Sequence, residues 1–292
     1  MGQIKTLNLL KSEEDLSAFE SNFRPQNANN LLFQTLEDYS RNKILIVAEH
    51  AQTTRIKSPK HGKKAYIGIG DANTATLAKL GAWHSQSAYI IPTILRTELD
   101  LARPSDAEGM RLRVLPFMAD EGHEETESHI PISTNKNLMH IFEFYHKTIE
   151  SLNPKLILSY HGMHSHRQAD VLLGFGPDRS YIGGSKNAFS FRRFFVKRLK
   201  ERLKERNVRI DITVKVSKSL FTGSKNYTLY RHVKEYNEKN SDIRFGIHVE
   251  FNRHGRVMKE HPSLPKLRYQ IAAQVLAECA EEWVEKQTAE KA

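Results

Sequence analysis

The chain has 292 residues, 39% of them hydrophobic and 27% charged, a balance that belongs to a folded globular protein and excludes a disordered one. No apolar run is long enough to span a bilayer, and the start of the chain lacks the apolar core of a secretory leader. The net charge of +10 invites anionic partners, while the lone cysteine, Cys279, leaves no internal disulfide and makes a reducing, cytoplasmic setting the expected one.

Residues 1–41 read as an N-terminal helical arm. Ser12-Glu13-Glu14-Asp15-Leu16 has the acid-rich start of a helix, and Leu31, Leu32, Phe33, Leu36 and Tyr39 recur at helical spacing. From 42 to 292, strand-like runs alternate with helical ones, as in a single α/β domain with a mainly parallel sheet. The first run, Ile44-Leu45-Ile46-Val47, is apolar on both faces and ends in Ala48-Glu49-His50. In open α/β sheets ligands bind outside the carboxyl ends of the strands, so Glu49 and His50 fall where a site is expected.

Residues 51–70 follow as a long basic loop, and Asp71 then stands where it would cap a helix ending at Leu80, with Gly81 as its stop signal. Residues 88–95 form the next strand piece. Arg96, Glu98, Asp100 and Arg103 come directly after it, either as a salt-bridged turn or as clamps for carboxylates and oxyanions. Residues 105–135 are a polar insertion. Its histidines, His123 and His129, are six apart, which suits a solvated acidic loop, or secondarily a lid, better than shared coordination.

An amphipathic helix at 138–152 leads into Leu156-Ile157-Leu158-Ser159-Tyr160-His161-Gly162-Met163, which repeats the first design: an apolar strand delivering a histidine to one sheet edge. Two such histidines with one carboxylate would make a metal site. His164 and His166 read as loop residues, and Val171-Leu172-Leu173-Gly174-Phe175-Gly176 lacks the spacing and lysine of a phosphate-binding loop. A basic helix over about 187–206 carries Arg192, Arg193, Lys197, Arg198 and further cations, most simply as a solvated face. A strand at 210–216, a helix starting at Tyr230 and a strand at 246–253 follow, the last with His248 and Glu250 on one face. An amphipathic helix from Leu267 to about residue 285 closes the chain.

Taken in order, Glu49-His50-Ala51, Asp71 with Gly81-Ala82, Arg96 with Asp100 and Arg103-Pro104, Tyr160-His161-Gly162-Met163, and Ile247-His248-Val249-Glu250 resemble the N-formylglutamate amidohydrolase-like family, within the wider zinc-carboxypeptidase-like set, over residues 44–285. The resemblance implies a three-layer α/β/α sandwich of the phosphorylase/hydrolase type and hydrolysis of an amide with a divalent metal, zinc being expected. It implies that His50 and His161 are metal ligands, that Glu49 is a third ligand or an acid holding one in place, and that Glu250 is the general base or acid. Arg96 matches the oxyanion-stabilising arginine and Arg103 the one holding a substrate carboxylate, with Asp100 and His248 in the same pocket. Ala102 stands where the family often has asparagine, and Thr53 where carboxypeptidases place an acid, so the third ligand stays open between Glu49 and Asp71.

The expected partner is an anionic small molecule or peptide-like substrate, with no membrane. Two alternatives remain: a deacylase acting on aminoacyl-tRNA through the basic helix 189–206, and a catalytically inert binding protein on the same fold.

Overall fold

The computed structural model describes residues 9–21, 26–28, 31–34, 43–52, 54–57, 66–69, 71–96, 98–104, 111–114, 128–131, 138–163, 169–208, 212–218, 221–258 and 261–289. Its strands are β1 (Gln26–Ala28), β2 (Leu31–Gln34), β3 (Ile44–Val47), β4 (Thr54–Lys57), β5 (Tyr66–Ile69), β6 (Ala88–Pro92), β7 (Arg111–Val114), β8 (Ser128–Pro131), β9 (Leu156–Met163), β10 (Val171–Gly174), β11 (Val214–Val216) and β12 (Phe245–Asn252). Its helices are α1 (Glu13–Ser21), α2 (Thr74–Ser85), α3 (Met139–Leu152), α4 (Ser185–Glu205), α5 (227–239), α6 (Arg253–Arg256) and α7 (Leu267–Ala289).

Among the described residues, eight strands form one mixed sheet in the order β1-β2-β6-β3-β9-β12-β10-β11. The centre is parallel: β3 pairs with β6 and β9, and β9 with β12. This explains the unbroken apolar runs, since each residue of β3 is buried and both faces of the sheet are covered. Ile44, Ile46, Leu158, Tyr160, Ile247 and Val249 pack with α2, α4 and α7 on one side. Leu45, Val47 and Ile157 pack with α3 and α5 on the other. The result is the α/β/α sandwich expected from the sequence. No described helix is long and apolar enough to cross a membrane.

Several sequence expectations change. Leu31–Gln34 is a strand antiparallel to β6, not part of a helix, because pairing with a buried strand overrides the helical spacing of its apolar residues. The supposed loop 51–70 contains the β4–β5 hairpin. Gly81 does not stop α2; it lies inside the helix, against Ile46, Tyr160 and the carbonyl of Ala273, where a side chain would crowd the sheet. Asp71 does not cap α2 with its side chain. Asn73, in a left-handed conformation at φ 62°, precedes the helix instead, and the Asp71 carboxylate turns inward. The strand at 210–216 is shorter, at Val214–Val216. The acidic stretch 120–127 and the histidines at 164 and 166 lie outside the described residues.

Candidate metal centre

The parallel register brings the candidate residues to one edge. Val47 pairs with Ser159, His248 with Ser159 and Glu250 with His161, so Ser159, His161, His248 and Glu250 share the face that Glu49 reaches just beyond β3. Glu49, His50, Asp71, Asp100, His161, His248 and Glu250 are all buried, at 2–7% relative exposure, so their charges interact across a medium that screens them poorly.

The inner group is His50, Asp71 and His161, whose ligand atoms could hold a metal ion. His161 Nδ1 lies 3.1 Å from His50 Nδ1 and 3.3 Å from Asp71 Oδ2, and His50 Nδ1 lies 3.5 Å from the same oxygen. Asp71 arrives here because its backbone N–H donates to His50 O at 2.6 Å, which lays the start of the α2 segment along the end of β3.

The outer nitrogens of both imidazoles meet acids. His50 Nε2 lies 2.8 Å from Asp100 Oδ1, and Asp100 also accepts from Arg96 Nε at 3.0 Å and from the Ala102 N–H at 3.0 Å. Burial would raise the Asp100 pKa, but the charges of His50 and Arg96 hold it well below the usual carboxylate range. An ionised carboxylate only accepts, so His50 Nε2 is the nitrogen that donates to it, and Nδ1 is the one turned inward.

His161 is oriented the same way. Its Nε2 lies 3.3 Å from Glu49 Oε2 and 2.9 Å from Ser159 Oγ, which itself donates to Glu49 at 3.0 Å. Asn226, the N-cap of α5, accepts from the Leu229 N–H through Oδ1, so its Nδ2 must point into this group, donating to Ser159 Oγ at 2.9 Å. Burial opposes ionisation of Glu49, yet the His161 charge and hydrogen bond lower its pKa to about 2. Burial likewise opposes a charged His161, and the Glu49 charge with the Asp71 and Glu49 hydrogen bonds raises its pKa to about 10.

Both imidazoles are thus held by acids on Nε2 and turn Nδ1 toward Asp71 Oδ2, three atoms able to ligate a cation that displaces the His161 proton. A tetrahedral zinc ion with bonds of about 2.0–2.2 Å separates its ligand atoms by about 3.3–3.6 Å, close to the 3.1, 3.3 and 3.5 Å edges of this triangle. The donor set suits a divalent cation; without one, a proton on His161 fills the same gap.

Beside the triangle, His248 Nε2 lies 2.9 Å from Glu250 Oε1, and the His248 ring tilts against that of His161 at 4.5 Å. Burial and the His161 charge lower the His248 pKa. Glu250 Oε2 is buried with no hydrogen-bond partner, as is His248 Nδ1. Arg103 lies further out, with Nη1 donating to Lys225 O at 3.2 Å. The structure thus brings Glu49, His50, Asp100, His161, His248 and Glu250 to one buried cluster and separates the two acids left open: Asp71 faces the inner nitrogens, Glu49 an outer one.

Sequence reasoning missed Ser159, Asn226 and Arg256. Strand alternation from His161 would have found Ser159. Nothing local distinguishes Asn226 or Arg256, which reach the site from elements far along the chain.

No protein-family model matches the chain, and no curated protein matches it. Its fold is that of hydrolase structures with a mixed sheet between helices. In particular it is similar to the N-formylglutamate amidohydrolase from Ralstonia eutropha JMP134, at 11% identity and a TM-score of 0.52 over 90% of this chain and 100% of that one. It also matches the gene product Atu2144 from Agrobacterium tumefaciens at 12% identity, covering 90% and 96% of the two chains with a TM-score of 0.48. A bacteriophage poly-gamma-glutamate hydrolase matches at 12% identity over 95% and 97%, with a TM-score of 0.42. At these identities the likeness concerns the fold.

Proposed function

We propose that this chain is a metal-dependent hydrolase of amide bonds that acts on an N-acylated acidic amino acid or a peptide-like amide, with zinc as its metal. The observation that carries this reading is the buried triangle of His50 Nδ1, Asp71 Oδ2 and His161 Nδ1, each imidazole held by an acid on its other nitrogen. His50, Asp71 and His161 would hold the ion. When bound, it would supply Lewis-acid polarisation of the amide carbonyl and acidify water toward pKa ~7.

Glu250 is the proton carrier. Its unpaired Oε2 takes a proton from the attacking water and returns it to the leaving amine nitrogen, while His248 Nε2 holds the other oxygen in place. Arg96, anchored on Asp100, and Arg103 supply positive charge at the rim for the oxyanion and for a substrate carboxylate. The name of the Ralstonia neighbour, an amidohydrolase of an N-acylated acidic amino acid, agrees with this substrate class.

The test is elemental analysis of protein purified without a metal-binding tag, followed by a screen of N-acyl amino acids. About one zinc per chain is expected in the wild type and little in His50→Ala, Asp71→Ala and His161→Ala. Glu250→Gln should keep its metal and lose about three orders of magnitude or more in turnover. A wild-type protein that stays metal-free after incubation with zinc, or a fully active Glu250→Gln variant, would overturn the reading.

A further inference from the structure

We propose that Arg256 is a positioning residue for the metal centre, a buried guanidinium that ties together the three segments carrying Asp71, His161 and Glu250. The inference rests on the metal-centre reading above. Arg256 is 4% exposed, and its donors reach three backbone carbonyls rather than an acid. Nε donates to Phe251 O at 2.9 Å, Nη1 to Ala72 O, and Nη2 to Met163 O at 3.4 Å. Phe251 follows Glu250, Ala72 follows Asp71, and Met163 lies two residues beyond His161. One planar fork therefore sets the spacing of the ends of β9 and β12 and of the loop that delivers Asp71.

Two further observations support this. Asn73 Nδ2 donates to Arg256 O at 2.6 Å and to Pro262 O at 2.9 Å, so the Asp71 loop and the Arg256 segment are tied in both directions. Gly162 lies directly against the guanidinium: a Cβ there would overlap it. The arginine could not simply swing aside, because its donors are committed on three sides. This gives the glycine after His161 a physical reason, namely room for Arg256.

The charge is also placed to matter. Burial lowers the Arg256 pKa, opposed by the nearby Asp71 and Glu250 carboxylates. Its positive charge thus offsets some of the repulsion between acids gathered in a poorly screened pocket. A lysine could not reproduce the arrangement, since a single ammonium cannot address three carbonyls that diverge around a plane.

The test is titration of metal-free protein with cobalt(II), following the visible absorption bands that report the coordination geometry, with far-UV circular dichroism as the check on folding. Wild type is compared with Arg256→Lys, Arg256→Met and Gly162→Ala. Gly162→Ala retains the guanidinium and displaces it, so it decides the matter even if Arg256→Met does not fold. We expect folded Arg256→Lys and Gly162→Ala to bind cobalt about tenfold or more weakly and to show altered bands at saturation. Folded variants with wild-type affinity and superimposable bands would overturn the positioning role while leaving the metal centre intact. A wild type that binds no cobalt would instead overturn the metal-centre reading, and this role with it.

Discussion

Asp71 and Glu49 both touch His161, on opposite nitrogens, and that difference assigns them different tasks. Asp71 Oδ2 stands 3.3 Å from Nδ1, inside the triangle, and Glu49 Oε2 stands 3.3 Å from Nε2, outside it. Glu49→Gln and Asp100→Asn should each weaken zinc binding by about 10–100-fold without abolishing it, because an amide no longer enforces the Nε2–H tautomer. Chelator competition measures this, and an unchanged dissociation constant in both would refute the orienting role. A pH effect follows from His161. Its metal-free pKa of about 10 lies above the unfolded value of 6.5, so its stabilisation is complete below pH 6.5 and disappears as pH rises through about 10. Metal-free protein should accordingly lose stability between pH 7 and 10, relative to the zinc-loaded form. Zinc binding in that range should release a proton, detectable by calorimetry in buffers of different ionisation enthalpy; observed heats that do not vary with the buffer would contradict it.

At the scale of elements, α5 matters most. Its N-cap, Asn226, points toward Ser159 and His161, and its middle, Tyr230–Glu235, is a π-turn that buries His232 against His146 of α3, Nε2 to Nδ1, at 2.8 Å. Burial lowers the pKa of His146 to about 2, assisted by the nearby His232 and Arg231 charges, and that of His232 to about 3, assisted by Arg231 and Arg244. For a depressed histidine the sign is opposite to that of His161. The unfolded chain takes up protons near pH 6.5 and the folded pair does not, so stability is lost as pH falls below about 6.5. Replacing both by glutamine should make the decline in urea midpoint between pH 7 and 5 shallower; an unchanged slope would show that the pair does not control acid lability. The basic helix α4 has another use for part of its charge: Arg192 Nε donates to Val214 O, Arg198 pairs with Glu282, and Arg202 pairs with Glu278. These cations fasten α4 to β11 and α7.

At the scale of the whole molecule, the N-terminal segment is fastened to the far end of the chain. The fully buried Gln270 of α7 accepts from the Leu10 N–H at 2.7 Å and donates to Leu10 O at 2.8 Å. Gln270→Ala would leave both Leu10 groups unpaired, at about 1–3 kcal/mol each. Urea unfolding should register the loss, and hydrogen exchange should show faster opening of residues 9–21; wild-type protection there would mean that this link holds nothing in place.

The sequence by itself determined the layered α/β plan and the strand ends as the place to look. Four-residue runs such as Ile44-Leu45-Ile46-Val47 are stable only when covered on both faces, and a polar residue closing such a run must lie at the sheet edge. His50 and His161 were legible for that reason, and His248 and Glu250 through the alternation that sets them on one face of their strand. What the tertiary structure decided was which groups meet. Leu31–Gln34 became a strand because β6 offered it a ladder, and Asp71 left its apparent capping role because the loop before α2 is tied to His50, Arg256 and Pro262. Asn226 and Arg256 come from turns and a short helix whose local sequence carries no periodic signal. Their roles depend on distances between atoms of residues remote along the chain, a quantity that spacing along the sequence does not contain.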